Sequence, residues 1–140
     1  MIPRVPKRMT IAALASLTVL LGSGCFSTEP TTGLEEDCEE TLVVEMTDAD
    51  RFAPACIRIR AGETVVWINE SSRGHTVTAD PDLAANPRNV ALPAGAVPFH
   101  SGSVPQGGEF EYTFAQPGRY DYVCLPHEAA GMLGTVIVEE

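Results

Sequence analysis

Lysine is all but missing from this chain. Its one lysine, Lys7, stands among the first residues, and beyond residue 24 six arginines face all nineteen acidic residues, a net charge of −13. A body this acidic repels nucleic acid and anionic lipid headgroups, and is steered toward cationic partners at rates that fall as salt rises. Histidine is scarce, at three residues, and tryptophan occurs once. No second close Cys/His pair exists, which removes the paired-ligand pattern of structural zinc. Long apolar runs are missing too: the one uncharged stretch, residues 10–21, falls well short of the roughly 20 residues that a bilayer span needs. Beyond residue 24 there is no internal repeat and no amphipathic helical period.

What is present begins with an export signal. Arg4, Lys7 and Arg8 precede the apolar run, and Leu21-Gly22-Ser23-Gly24 places small residues before Cys25, so residues 1–24 read as a cleaved signal peptide. A cysteine at that junction resembles a bacterial lipoprotein site, with the lipid on Cys25. Gly22 occupies the position where such sites favour leucine, and plain secretory cleavage is the alternative. Residues 25–40, rich in Ser, Thr, Pro, Gly and acid, read as a flexible acidic tether. Its run Glu35-Glu36-Asp37, with Glu39 and Glu40, reads as solvating charge. Cys38 and Cys56 lie outside any metal-like spacing in a chain bound for an oxidising compartment, and a disulfide between them is the economical reading.

Residues 41–140 carry short β-prone runs broken by Gly and Pro. Expected strands are Leu42-Val43-Val44-Glu45-Met46, Ile57-Arg58-Ile59-Arg60, Thr64-Val65-Val66-Trp67-Ile68-Asn69, His75-Thr76-Val77-Thr78-Ala79, Phe110-Glu111-Tyr112-Thr113-Phe114, Arg119-Tyr120-Asp121-Tyr122-Val123 and Thr135-Val136-Ile137-Val138. Seven or eight such strands predict an all-β, antiparallel Greek-key sandwich. The expected core is Val44, Ile57, Ile59, Val66, Ile68, Phe110, Tyr112, Phe114, Tyr120, Tyr122, Val136 and Val138, with Trp67 also inside. Which face of the Val65/Val66 strand turns inward is left open. Residues 80–98 form a long connection with Pro81, Pro87, Pro93 and Pro98 and a helical turn at 82–85; a connection of that size is usually functional or mobile.

The chemistry concentrates near the end, in Cys124-Leu125-Pro126-His127-Glu128-Ala129-Ala130-Gly131-Met132, with His75 upstream. Pro126 restricts its predecessor to an extended conformation, bringing His127 back toward the thiolate, and Gly131 permits a bend that returns Met132. One thiolate, two imidazoles and one thioether form the ligand set of a blue-copper centre: a Cys/His/His plane with a weak axial Met. Singly, Cys124 reads as a buried thiol, Met132 as core and His75 as an ordinary polar residue; the joint spacing singles them out. The third histidine, His100, reads as a surface residue.

Residues 41–140 resemble the cupredoxins of the plastocyanin and pseudoazurin type, including halocyanin-like members. The resemblance is carried by the Cys-x-x-His-x-x-x-x-Met spacing, by PGRYDYVCLPH and GMLGTVIVE, and by RFAPACIRIRAGETVVWIN upstream. It implies that His75, Cys124, His127 and Met132 bind one copper ion, and that the ring edge of His127 reaches the surface and passes electrons. The family commonly has asparagine after the first histidine, tying the two ligand segments together; Thr76 stands here, which puts that link in question.

The function implied is one-electron transfer, not enzymatic catalysis, by an exported monomer in the periplasm or cell envelope. Its partners would be redox proteins such as a cytochrome, oxidase or reductase with a basic docking surface, and its membrane contact the lipid on Cys25. The alternative is a copper-handling protein for delivery, storage or sensing. Such proteins favour exposed Met- and His-rich sites, whereas only Met46 and Met132 remain beyond residue 24.

Overall fold

The computed structural model describes residues 37–140; the expected signal peptide, Cys25 and the tether through residue 36 lie outside the described residues. Ten strands are present among the described residues: β1 (Glu39–Glu40), β2 (Val43–Thr47), β3 (Arg51–Ala53), β4 (Cys56–Arg60), β5 (Thr64–Asn69), β6 (Thr78–Ala79), β7 (Phe99–His100), β8 (Glu109–Thr113), β9 (Gly118–Val123) and β10 (Leu133–Glu139). One sheet has the order β1-β4-β10-β9-β6-β7 and the other β3-β2-β5-β8. The chain is nearly all-β, as expected, but the pairing is mixed and not purely antiparallel. β1 and β10 both run parallel to β4, and β2 runs parallel to β5. After the β2–β3 hairpin, β4 joins the other sheet before β5 comes back beside β2, a crossover that brings two strands together in one direction.

Cys38 is bonded to Cys56 at the head of β4. That bond seats Glu39 and Glu40 on the edge of β4, so the sheet starts inside the segment expected to be tether.

Val44, Ile57, Ile59, Phe114, Tyr120, Tyr122, Val136 and Val138 are buried, and Phe110 and Tyr112 pack against them half-buried. The open question on β5 resolves against the expected core: Val65 and Trp67 turn inward, while Val66 and Ile68 stand half-exposed. A period-two strand that is apolar on both faces leaves its inward side undetermined, because a one-residue shift exchanges every side chain. The tryptophan decides it, with the largest apolar area to bury. Trp67 meets Phe99, Phe110, Phe114 and Tyr122 with ring centroids 5.5 to 6.5 Å away. Its indole N–H donates to the Tyr122 hydroxyl at 3.1 Å. The Tyr122 ring lies over Gly134 of β10, where a Cβ would come within 2.2 Å of it. β9 and β10 are thus locked together just below the residue that follows β9, Cys124.

Two other expectations shift. Only Thr78–Ala79 of the expected 75–79 strand is a strand; His75 is joined to Val104 by an isolated bridge. The helical turn expected at 82–85 is a turn in which the N–H groups of Leu83 and Ala84 donate to the Asp80 carbonyl. A single 3-10 turn follows at Pro87–Asn89, started by the Asn86 side chain, which accepts from the Arg88 N–H. No helix among the described residues is long and apolar enough to cross a membrane.

Candidate metal centre

β9 ends at Val123, and Cys124 begins a loop that closes on itself. The Cys124 N–H donates to the Met132 carbonyl at 3.0 Å, and the His127 N–H to the Cys124 carbonyl at 3.1 Å. The chain coils through Leu125–Ala130, kinks at His127, and turns at Gly131, whose φ of 81° lies in the left-handed region that glycine adopts without strain. The Met132 N–H then donates to the His127 carbonyl at 3.2 Å. Backbone bonds alone place Cys124, His127 and Met132 side by side.

His75 is delivered by other means. Asn69, at the end of β5, is fully buried, and its amide donates to the carbonyls of Arg73 (2.7 Å) and Val104 (2.8 Å). Its oxygen accepts from the N–H and hydroxyl of Ser71 at 3.0 and 2.7 Å. All four hydrogen-bonding positions of the carboxamide are used, which fixes the 69–74 loop. The His75 N–H and carbonyl pair with Val104 at 3.1 and 2.8 Å.

The two segments meet at three atoms. His75 Nδ1 lies 3.1 Å from His127 Nδ1, and each lies 3.5 Å from Cys124 Sγ. The centre of that triangle is about 2 Å from every corner, the length of a metal–nitrogen bond. Burial first, and His127 beside it second, hold the His75 imidazole below its ordinary pKa, so at pH 7 it is neutral with a lone pair to offer. Burial pushes the Cys124 thiol up; the backbone N–H groups of Thr76 and His127 and the Thr76 hydroxyl oppose that by favouring the thiolate. The Thr76 N–H stands 3.3 Å from the sulfur. Three electron-pair donors crowded this closely are mutually repulsive unless a cation or protons lie between them, and a metal with one sulfur and two nitrogen ligands fits. Met132, adjoining in the same loop, is fully buried.

The link that asparagine provides elsewhere is kept by a hydroxyl: the Leu125 N–H donates to Thr76 Oγ1 at 2.8 Å. Sequence reasoning missed two further residues. Asn69 could have been found by parity, since it follows Val65 and Trp67 on the inward face. Glu128 gave no such signal. It is buried at 6% exposure, and its carboxylate accepts from the N–H groups of Ala85 (2.8 Å) and Asn86 (3.0 Å) and the Asn89 amide (2.8 Å). The long 80–98 connection is thereby clamped to the ligand loop. Burial raises the Glu128 pKa, but these donors outweigh it and hold the group below the usual range.

His127 keeps 18% of its side chain exposed, and its Nε2 lies 3.6 Å from Asp50. Around that edge Arg73 pairs with Asp50 at 2.9 Å, and Arg51 donates to the Ala130 carbonyl at 2.9 Å. The rim therefore carries both signs of charge. His100 is exposed, as expected, but its ring bonds to Thr78.

Residues 39–139 match the family described as copper binding proteins, plastocyanin/azurin family. A plastocyanin of Nostoc punctiforme is 31% identical over 130 residues, 91% of this chain and 91% of its own. Halocyanin of Natronomonas pharaonis is 37% identical over 105 residues, covering 72% of this chain and 57% of that protein. Among solved structures, a Cu(I) form of an amicyanin variant superposes with a TM-score of 0.55 at 26% identity, covering 74% of this chain and 87% of that one. A pseudoazurin from Sinorhizobium gives 0.55 at 29% identity, covering 70% and 72%.

Proposed function

The chain belongs to the plastocyanin/azurin family of copper-binding proteins, and from that premise we propose that His75, Cys124, His127 and Met132 would hold its copper, Met132 through its thioether. Proteins of this family bind one copper, carry electrons and are not enzymes. The observation that carries the assignment is the triangle of His75 Nδ1, His127 Nδ1 and Cys124 Sγ.

When bound, copper supplies a one-electron Cu(I)/Cu(II) couple. The chain's own residues make that couple fast. His75 and Cys124 have no exposed surface, so water is kept from these two donors. The Cys124–Met132 and His75–Val104 backbone bonds resist rearrangement between the two valences. Thr76 and His127 N–H groups direct positive charge at the sulfur, which tunes the potential. The exposed edge of His127 is the exit for the electron. With four protein ligands no position stays open for a substrate, and burial of the donors counts against handing the metal itself to a partner.

The finer reading is an exported carrier in the periplasm or cell envelope, held at the membrane by lipid on Cys25. It exchanges electrons with a cytochrome, oxidase or reductase. The acidic body supports steering by a basic partner, while the rim arginines Arg51 and Arg73 favour some acidic contacts close to His127.

Loading with Cu(II) tests the core of this reading. The protein turns intensely blue through sulfur-to-copper charge transfer and bleaches reversibly with ascorbate, and Cys124→Ser abolishes the colour. A colourless copper adduct of the unaltered protein overturns it. Mass spectrometry of the mature N-terminus checks the lipid, and the salt dependence of electron transfer to a basic cytochrome checks the steering.

A further inference from the structure

Among the described residues Asp50 alone, glycines apart, has a positive φ, at 54°. Aspartate enters that left-handed region more readily than most side chains. The turn that carries it is firmly tied. The Asp50 N–H donates to the Thr47 carbonyl at 3.2 Å, and the Asp48 carboxylate accepts from the N–H and hydroxyl of Ser72 at 2.8 and 2.9 Å. The 47–50 turn is thereby joined to the loop that delivers His75.

Asp50 Oδ1 is buried and makes no hydrogen bond. Two groups flank it: the Arg73 guanidinium at 2.9 Å and His127 Nε2 at 3.6 Å. At 3.6 Å the second contact is one of charge, not a hydrogen bond. Only 18% of either side chain is exposed, so water and salt screen it less than a surface pair. A residue serving only the backbone of a turn would leave its carboxylate in solvent. This one is turned in against a ring whose other nitrogen, Nδ1, faces Cys124 and His75. Glu128, the buried acid of the ligand loop, differs in having its charge taken up by three donors.

We propose that Asp50 is a positioning residue for the redox centre, acting through the outer edge of His127 to lower the potential, with Arg73 offsetting part of its charge. The proposal rests on His127 holding the copper. Oxidation of Cu(I) to Cu(II) adds one positive charge to the site, and a fixed carboxylate nearby stabilises the more highly charged form. Arg73 acts in the opposite sense and more weakly, because its side chain is 47% exposed.

An ion pair that merely braced the fold would respond alike to the loss of either partner, and that difference supplies the test. In the copper-loaded protein, Asp50→Asn shifts the preference about tenfold toward Cu(I), a rise of about 59 mV for one electron. Arg73→Gln lowers the potential by a smaller amount. Asp50→Gly, which also accepts the left-handed turn, matches Asp50→Asn, because the two share only the lost charge. In the metal-free protein, titration with Zn(II) as a redox-inert dication shows about tenfold weaker binding in Asp50→Asn and Asp50→Gly, and no weakening in Arg73→Gln. A blue protein whose potential is unmoved by Asp50→Asn, or moves the same way in Asp50→Asn and Arg73→Gln, overturns the proposal and leaves the copper assignment standing. If the unaltered protein never turns blue, the copper assignment falls and the zinc arm decides. Equal zinc affinity in Asp50→Asn and the unaltered protein, or no zinc binding by either, then overturns the role of Asp50.

Discussion

Between Cys124 and Met132 the backbone bonds to itself, whereas His75 is held by side chains reaching across the fold. The ligand loop needs only short-range contacts: Cys124 with Met132, His127 with Cys124, Met132 with His127. The His75 segment depends on Asn69 spanning to Val104, and on Thr76 meeting Leu125. The first arrangement leans less on any one side chain that is not a ligand. The second keeps its backbone pair with Val104 but loosens when one polar side chain is lost, because buried donors and acceptors lose their partners.

Substitutions can break that contrast at either end. The largest expected effect is Asn69→Ala, which removes four hydrogen bonds and leaves the Ser71 N–H without its acceptor, lowering stability by about 4 kcal/mol in urea unfolding, with copper retention falling in parallel. Gly134→Ala comes next. Its methyl group meets a Tyr122 ring that cannot move away, and about 3 kcal/mol is lost on the otherwise tolerant side of the site. Glu128→Ala removes the clamp on the 80–98 connection for about 2 kcal/mol, with faster hydrogen exchange at the Ala85 and Asn86 amides; Glu128→Gln keeps part of the protection. The smallest change in stability belongs to Met132→Leu, within about 1.5 kcal/mol. There the blue colour persists and the potential rises as the axial donor is lost. If Asn69→Ala proved as mild as Met132→Leu, the contrast between the two halves would disappear.

The same contrast explains what the sequence made legible. Three of the four proposed ligands sit within nine residues, so spacing exposes them. Alternation in β4 and β8 and the Gly/Pro turns expose the sandwich. β5 hid its register because Val65-Val66-Trp67-Ile68 is apolar on both faces. The mixed pairing was hidden because strand direction depends on which sheet each strand joins, and local pattern does not record that. Glu128 and the Thr76–Leu125 and Thr78–His100 contacts were hidden for a different reason. Each looks like ordinary surface polarity until the fold supplies a partner 22 to 49 residues away. Position 76 needs an acceptor for the Leu125 N–H, and a hydroxyl serves there.

Among the described residues Cys124 is the only free cysteine, and it is wholly enclosed while Cys38 and Cys56 hold each other. Thiol exchange and oxidation both require an attacker to reach the sulfur. A chain that has folded ahead of its metal therefore keeps that sulfur chemically intact in oxidising surroundings. Maturation can then run in two independent stages, shape first and metallation afterwards, without a reductase standing guard in between.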